Sequence, residues 1–296
     1  MAQQMMNETI SFDDVLLAPQ YSEIDSRSEI KIKQQLKNIN HDFTLPIISS
    51  PMDTVTEADM AITIYEAGGL GVLHRYNYIE EQVSMASSVL EYGSDVGSAI
   101  GVNGDFIPRS MALVDSGVTI LCIDVAHGHH SKVRYAIETL RRTYGKRIHI
   151  MAGNIATREG FNALADWGAD SIRVGIGGGS ICSTRVQTGH GVPTLQSIID
   201  CAGSDRDVTL IADGGLRTSG DIVKALAAGA DSVEGVSSSV PRRGLAENVL
   251  NELERGIRSG LSYSGARSIQ ELQAKAKFIR QTNSSQVESS THIEKI

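Results

Sequence analysis

The chain has 296 residues, 41% of them hydrophobic and 21% charged, a balance that excludes a disordered or fibrous protein. That length suffices for one α/β barrel or two smaller domains. A net charge of -8 with no long basic run argues against a nucleic-acid partner, but it leaves a phosphorylated small ligand open, since local backbone N–H groups can bind one.

Residues 1–44 read as an N-terminal extension. Met1–Glu8 lacks the basic residues and apolar core of a secretory signal. Ile10–Pro19 is a short apolar clamp closed by a Pro turn, and 20–44 is polar with weak alternation, as in a small edge hairpin. From residue 45 short β-rich runs alternate with helical patterns. Strand one is Pro46–Ser50, followed by a helix over Glu57–Ala67. Strand two is Gly69–His74, with a helix over Ile79–Leu90. Strand three is Gly97–Val102 (helix Pro108–Ser116) and strand four Val118–Asp124 (helix Ser131–Tyr144). Strand five is Ile148–Gly153 (helix Arg158–Trp167) and strand six Ser171–Val174 (helix Thr194–Cys201). Strand seven is Val208–Asp213 (helix Gly220–Ala228) and strand eight Asp231–Val236, with a helix near Leu245–Ile257. The tail 260–296 carries one more helix, Ile269–Ile279, and a polar end.

The strands are apolar without clean alternation, as when both faces of a parallel sheet are buried. Gly68, Gly168 and Gly229 follow the helices where a C-cap belongs. Eight βα units predict a (β/α)₈ TIM barrel over a doubly wound sheet, as one catalytic domain spanning 1–296. No apolar run approaches the roughly 20 residues that cross a bilayer, so no membrane contact is expected. Cys122, Cys182 and Cys201 form no C-x-x-C pair, which speaks against disulfides and structural zinc and for a reducing, cytoplasmic setting.

In such barrels the site lies at the C-terminal strand ends. Those ends carry Ser50 and Met52, Arg75, Asp124 with His127, Asn154, the glycine loop, and Asp213-Gly214-Gly215. His127, His129 and His130 lack a fourth ligand nearby, so metal is the weaker reading there. Asp213 suits a ribose diol or a plain helix cap, and Asp124 is likewise a cap or a ligand carboxylate. Cys122 lies in a strand and Cys201 in an amphipathic helix, so both read as core. The loop Val174–Arg185 has four glycines between 175 and 179 and then Ser180 and Cys182. Read alone it is either a flexible turn with a small buried hydrophobe, or a phosphate-binding nest of N–H groups with a nucleophile behind it.

Six segments in order carry a resemblance: Phe12–Leu17, Ser50–Glu57, Asp124-x-Ala126-His127-Gly128-His129, Met151–Asn154, Gly177–Arg185 and Ala212–Gly215. Over nearly its whole length the chain resembles the IMP dehydrogenase/GMP reductase family. The resemblance implies that Cys182 attacks purine C2, with Thr184 beside the thiolate. It implies that Ser180, Gly215 and neighbouring N–H groups hold the 5′-phosphate and that Asp213 binds the ribose, with Gly214 in the same turn. Ser50 and Met52 would pack on the nucleotide, with Asn154 lining the site. Asp124 would hold the nicotinamide ribose of NAD or NADP, with His127 and Arg75 on that side. The carbonyls of Gly177, Gly179 and Cys182 resemble the family's potassium site, and a homotetramer is implied as well.

The segments Ser50–Glu57, His127-Gly128-His129 and Arg217–Asp221 and the tail Glu288-Ser289-x-x-His292 look like the dehydrogenase, whereas Thr188-Gly189 leans toward the reductase. Leu90–Gly93 passes straight into strand three, so the family's regulatory insert is absent. Strand eight runs directly into Ser237–Gly244, which resembles the segment after the family's mobile flap. Gly235 or Ser237 stands where a phosphate-binding Gly-Ser is usual, position 178 is Gly rather than Pro, and Arg75 replaces a common Lys. Three functions follow as expectations. The first oxidises IMP to XMP with NAD, the second reduces GMP to IMP with NADPH, and the third is a flapless barrel that binds purine nucleotide without turnover.

Overall fold

The computed structural model describes residues 8–39, 41–179, 183–236 and 244–289. Ser180, Cys182, Ser237 and His292, singled out above, lie outside the described residues. The N-terminal segment contributes β1 (Val15–Leu17), β2 (Gln34–Gln35) and β3 (Asp42–Phe43). The repeating units run from β4 (Ile47–Ile48) through α1 (Ala58–Glu66), β5 (Gly71–Leu73), α2 (Ile79–Glu91), β6 (Val96–Ile100), α3 (Phe106–Asp115), β7 (Ile120–Asp124) and α4 (Ser131–Tyr144). They continue through β8 (His149–Ile155), α5 (Arg158–Trp167), β9 (Ser171–Val174), α6 (Thr184–Thr188), α7 (Thr194–Ala202), β10 (Thr209–Leu216), α8 (Ser219–Ala227), β11 (Ser232–Val236) and α9 (Ala246–Tyr263). Last come α10 (Ile269–Lys275), β12 (Phe278–Arg280) and α11 (Asn283–Glu288).

Eight strands form one parallel sheet in the order β4-β11-β10-β9-β8-β7-β6-β5. The ends meet: the Leu70 N–H donates to Ile47 O at 3.1 Å and the Ser49 N–H to Leu70 O at 3.0 Å, which closes the barrel beside β5. Local chemistry starts and stops the outer helices. Thr157 caps α5 by accepting from the Gly160 N–H at 3.2 Å, and Gly168 ends it in the left-handed region, φ +109, where a Cβ is strained. On α4 the buried side chains Val133, Ala136, Ile137, Leu140 and Tyr144 form one stripe at helical spacing against the sheet.

Three sequence expectations change. The segment 20–44 does form a small antiparallel pair, β2 with β3, but it is not peripheral. Its Leu36, Ile39 and Phe43 join Ile48, Leu70, Val72, Ile120, Cys122, Met151 and Ile211 in a separate apolar cluster that plugs the barrel. The plug is pinned by polar bonds: Asn38, in the left-handed region at φ 61, donates to Asp170 Oδ1 at 2.9 Å, and His149 Nδ1 lies 2.7 Å from Lys37 O. The tail helix ends at Lys275 rather than Ile279, because Phe278–Arg280 instead pairs antiparallel with β1, Val15 opposite Arg280. Helix α6 was not foreseen; it sits directly behind the glycine loop. Cys122 and Cys201 are core residues, and burial pushes both thiols up, that of Cys201 to about 12. Among the described residues no helix is long and apolar enough to cross a membrane.

Candidate active site

A cavity of about 460 Å³ opens at the C-terminal strand ends. Its wall includes Ser50 and Met52 after β4, Arg75 after β5, Asp124 of β7, Asn154 of β8, Arg173 of β9, Gly177, Thr184 of α6 and Asp213 of β10. Sequence reading named all of these except Arg173. Two irregularities aim the polar groups. Between β8 and β9 the register slips around Asn154, so that Gly153 faces Arg173 and Ile155 faces Val174. The Asn154 amide then donates to Gly175 O at 2.8 Å and to Asp213 Oδ2 at 2.5 Å. Between β10 and β11 the register slips after Asp213, across Gly214 (φ +78) and Gly215 (φ +80). Both glycines occupy a conformation that disfavours side chains, and Gly214 packs under Gly179, whose N lies 3.2 Å from where a Cβ would stand. Gly235 is similar: a Cβ there would come 2.9 Å from Asp213 Oδ1 and 3.2 Å from Ser50 Oγ, so its absence leaves room beside both groups.

Below this wall lies a buried charge cluster. Arg173 donates from Nε to Glu234 Oε2 at 2.9 Å and from Nη2 to Glu234 Oε1 at 2.7 Å. Nη1 donates to Asp124 Oδ1 at 2.7 Å, and Nη2 also reaches Asp213 Oδ2 at 3.3 Å. One cation thus serves three carboxyl groups. Burial raises the Asp213 carboxyl above its ordinary range, opposed by Arg173 and by the Asn154 hydrogen bond. Burial pushes Glu234 up to about 8 against the pull of Arg173, with the two neighbouring carboxylates adding to the rise.

Other sequence-predicted residues fall elsewhere. Gly179, Gly214 and Gly235 line an adjoining apolar cavity of about 330 Å³, which shares Ser50, Met52 and Asp213 with the first. Gly215 lines a third, of about 220 Å³, with Gly178, Thr194 and Arg217. His127 is exposed and stands outside the cavity wall, so it is not brought to the other predicted residues. His130 caps α4, accepting from the Lys132 N–H at 3.1 Å, and His129 packs near Trp167. No cluster of His, Cys, Asp or Glu among the described residues could hold a metal ion. Arg75 lies over the Tyr76 ring, 5.3 Å from its centroid, and donates to Asp124 O at 3.3 Å, while its buried Nε has no partner among the described residues. Arg173 and Glu234 were missed by sequence reading. The signal was there: a charge in the middle of Ser171–Val174 and of Ser232–Val236, two strands otherwise built for burial.

A closed parallel barrel, with carboxylates and glycine turns converging on a cavity at its C-terminal face, defines the class: a (β/α)₈ protein with a small-molecule site of the enzyme kind. The profile described as "IMP dehydrogenase / GMP reductase domain" matches residues 9–234 and 232–292, and the chain belongs to that family of oxidoreductases. An inosine-5′-monophosphate dehydrogenase from Borreliella burgdorferi is 32% identical, over 99% of this chain and 98% of that one. A GMP reductase from Leishmania major is 27% identical, over 96% and 97%. A crystal structure of GMP reductase from Trypanosoma brucei in complex with guanosine 5′-triphosphate superposes with a TM-score of 0.86 at 28% identity, covering 94% of this chain and 99% of that one. The two dehydrogenase and reductase alignments run over 402 and 477 positions against 296 residues here, so these relatives carry internal segments that this chain lacks.

Proposed function

We propose that the chain is a purine-nucleotide oxidoreductase that converts IMP, NAD and water to XMP and NADH through a covalent adduct of Cys182 at purine C2. The observation that carries this reading is the convergence of Asp124, Asn154, Asp213 and the glycine loop on one cavity. Asp213 accepts from the ribose hydroxyls, where the missing Gly235 Cβ leaves space beside it. Ser180 and the N–H groups around Gly215 hold the 5′-phosphate. Ser50 and Met52 pack on the nucleotide. Asp124, flanked by Arg75, takes the nicotinamide ribose, and polar groups on both sides of the cavity fit a second ribose. When bound, the oxidised nicotinamide supplies the hydride acceptor.

The Cys182 thiolate forms a bond to C2, and the C2 hydrogen leaves with its electron pair. Water then adds at C2, the C–S bond breaks, and XMP departs as the thiol is restored. The neutral carbonyls of Gly177, Gly179 and Cys182, with no carboxylate among them, suit a singly charged cation such as potassium. The protein works as a homotetramer, which light scattering will check.

Two observations favour a second reading, reduction of GMP with NADPH and release of ammonia. The superposition is on a GMP reductase, and the family match breaks at 232–234, where a flap that handles water would follow strand eight. Purified protein incubated with IMP and NAD, and separately with GMP and NADPH, decides between them. NADH with XMP is expected. NADPH consumption with ammonia instead establishes the reductase, and nucleotide binding without either reaction leaves a binding barrel.

A further inference from the structure

Glu234 is the deepest acid in the site region and has no part in the steps above. Its side chain is 0% exposed, against 14% for Asp213 and 19% for Asp124. Glu234 and Asp213 are register partners on adjacent parallel strands, so both side chains project to the barrel interior. Both Glu234 oxygens are engaged by Arg173, at 2.9 and 2.7 Å, along the Nε–Nη2 edge of the guanidinium. A planar fork gripped on one edge by a carboxylate is fixed in plane and rotation. Its remaining N–H groups therefore point where Glu234 leaves them: Nη1 to Asp124 at 2.7 Å, with Cys122 Sγ at 3.7 Å, and Nη2 to Asp213 at 3.3 Å.

We propose that Glu234 is a positioning residue: by gripping the edge of Arg173 from inside the barrel, it makes one guanidinium hold Asp124 and Asp213 as two separate anchor points of the cavity. The geometric part stands on the cluster alone; its effect on affinity rests on the reading of the cavity as a purine-nucleotide site. Charge follows the same geometry. The groups facing Glu234 are Arg173 from β9, Asp213 from β10, and Asp124 and Cys122 from β7. With a single cation among three carboxyls, burial and the two neighbouring carboxylates push the Glu234 carboxyl up, while Arg173 pulls it down.

Crystal structures of Glu234→Met and Glu234→Gln, with calorimetric titration of IMP and of GMP, test this. In Glu234→Met the guanidinium is expected to release Asp124 or Asp213, with nucleotide affinity falling roughly tenfold or more. In Glu234→Gln one guanidinium N–H meets the amide NH2 instead of an oxygen, so affinity is expected to fall as well, but by less than in Glu234→Met. A Glu234→Met structure in which Arg173 still bonds both aspartates, or an affinity within about twofold of the parent, overturns the proposal. Should Glu234→Met not fold, a Glu234→Gln structure with Arg173 still on both aspartates and an affinity within about twofold of the parent overturns it. If the parent protein binds neither nucleotide, the nucleotide reading fails, while the variant structures still decide whether Glu234 positions Arg173.

Discussion

Two layers of the barrel interior sit two residues apart on the same strands and have opposite chemistry. On β7 Cys122 belongs to the lower layer and Asp124 to the upper; on β10 the pair is Ile211 and Asp213. Residues i and i+2 of a strand face the same side, so both layers point inward. The lower layer is sealed by Leu36, Ile39 and Phe43 and is mostly apolar, and its His149 is bonded inside it, to Lys37 O and to Ser171 Oγ, both at 2.7 Å. The upper layer opens to the cavity and carries three carboxyls around Arg173. A closed end can be filled with side chains that need no partner. Towards the open end three carboxyls share one guanidinium, which offsets part of the cost of burying them. The lower layer therefore packs the barrel's closed end, and the upper one gathers charge beneath the cavity.

The largest effect is expected at Cys182, the proposed nucleophile. Cys182→Ala is expected to lower turnover by on the order of 10³-fold or more, with nucleotide affinity by calorimetry nearly intact; turnover surviving in that variant would remove covalent catalysis from the account. Next comes the ionic layer itself. Arg173→Met leaves three carboxyls without their cation and is expected to cost about 3–5 kcal/mol in urea unfolding. A neutral or stabilising result would show the charges to be dispensable to the fold.

The lower layer gives the control. Phe43→Ala opens a hole in the plug and is expected to cost about 3–5 kcal/mol as well, yet the folded fraction should bind nucleotide as the parent does. Weakened affinity there would mean the layers are coupled. Asp213→Asn should weaken nucleotide binding by about ten- to a hundredfold, the worth of hydrogen bonds to a charged acceptor, with a small change in melting temperature. The smallest effect is a pH slope. The Glu234 carboxyl rises from an ordinary 4.5 to about 8 on folding, so the folded state holds the proton more tightly than the unfolded chain. Its contribution is complete below about pH 4.5 and is lost as pH rises toward 8. Glu234→Gln should flatten that part of the stability curve in denaturant titrations across this window; an unaltered curve would place the slope on another group, Asp231 being the nearest candidate, with its carboxyl raised by burial to about 6.

Much of the site was legible because it sits at strand ends. Once Ser50, Arg75, Asp124, Asn154, Gly177 and Asp213 are placed after successive strands, barrel closure brings them to one rim without further information. His127 differs from these: it lies three residues past the end of β7 and is exposed to solvent. Arg173 and Glu234 were passed over because an isolated charge in an apolar strand has no periodic signature. Its meaning lies in partners 49 and 61 residues away in the chain.

By itself the sequence determined the eight βα units, their caps and the order of polar strand ends. These depend on side-chain alternation, helical spacing and glycine conformation, all of which act over a few residues. Only the tertiary structure decided that the 20–44 segment plugs the barrel, that Val15–Leu17 pairs with Phe278–Arg280, and that one guanidinium ties β7, β10 and β11 together. Those contacts join stretches far apart in the chain, which no pattern over a few residues encodes.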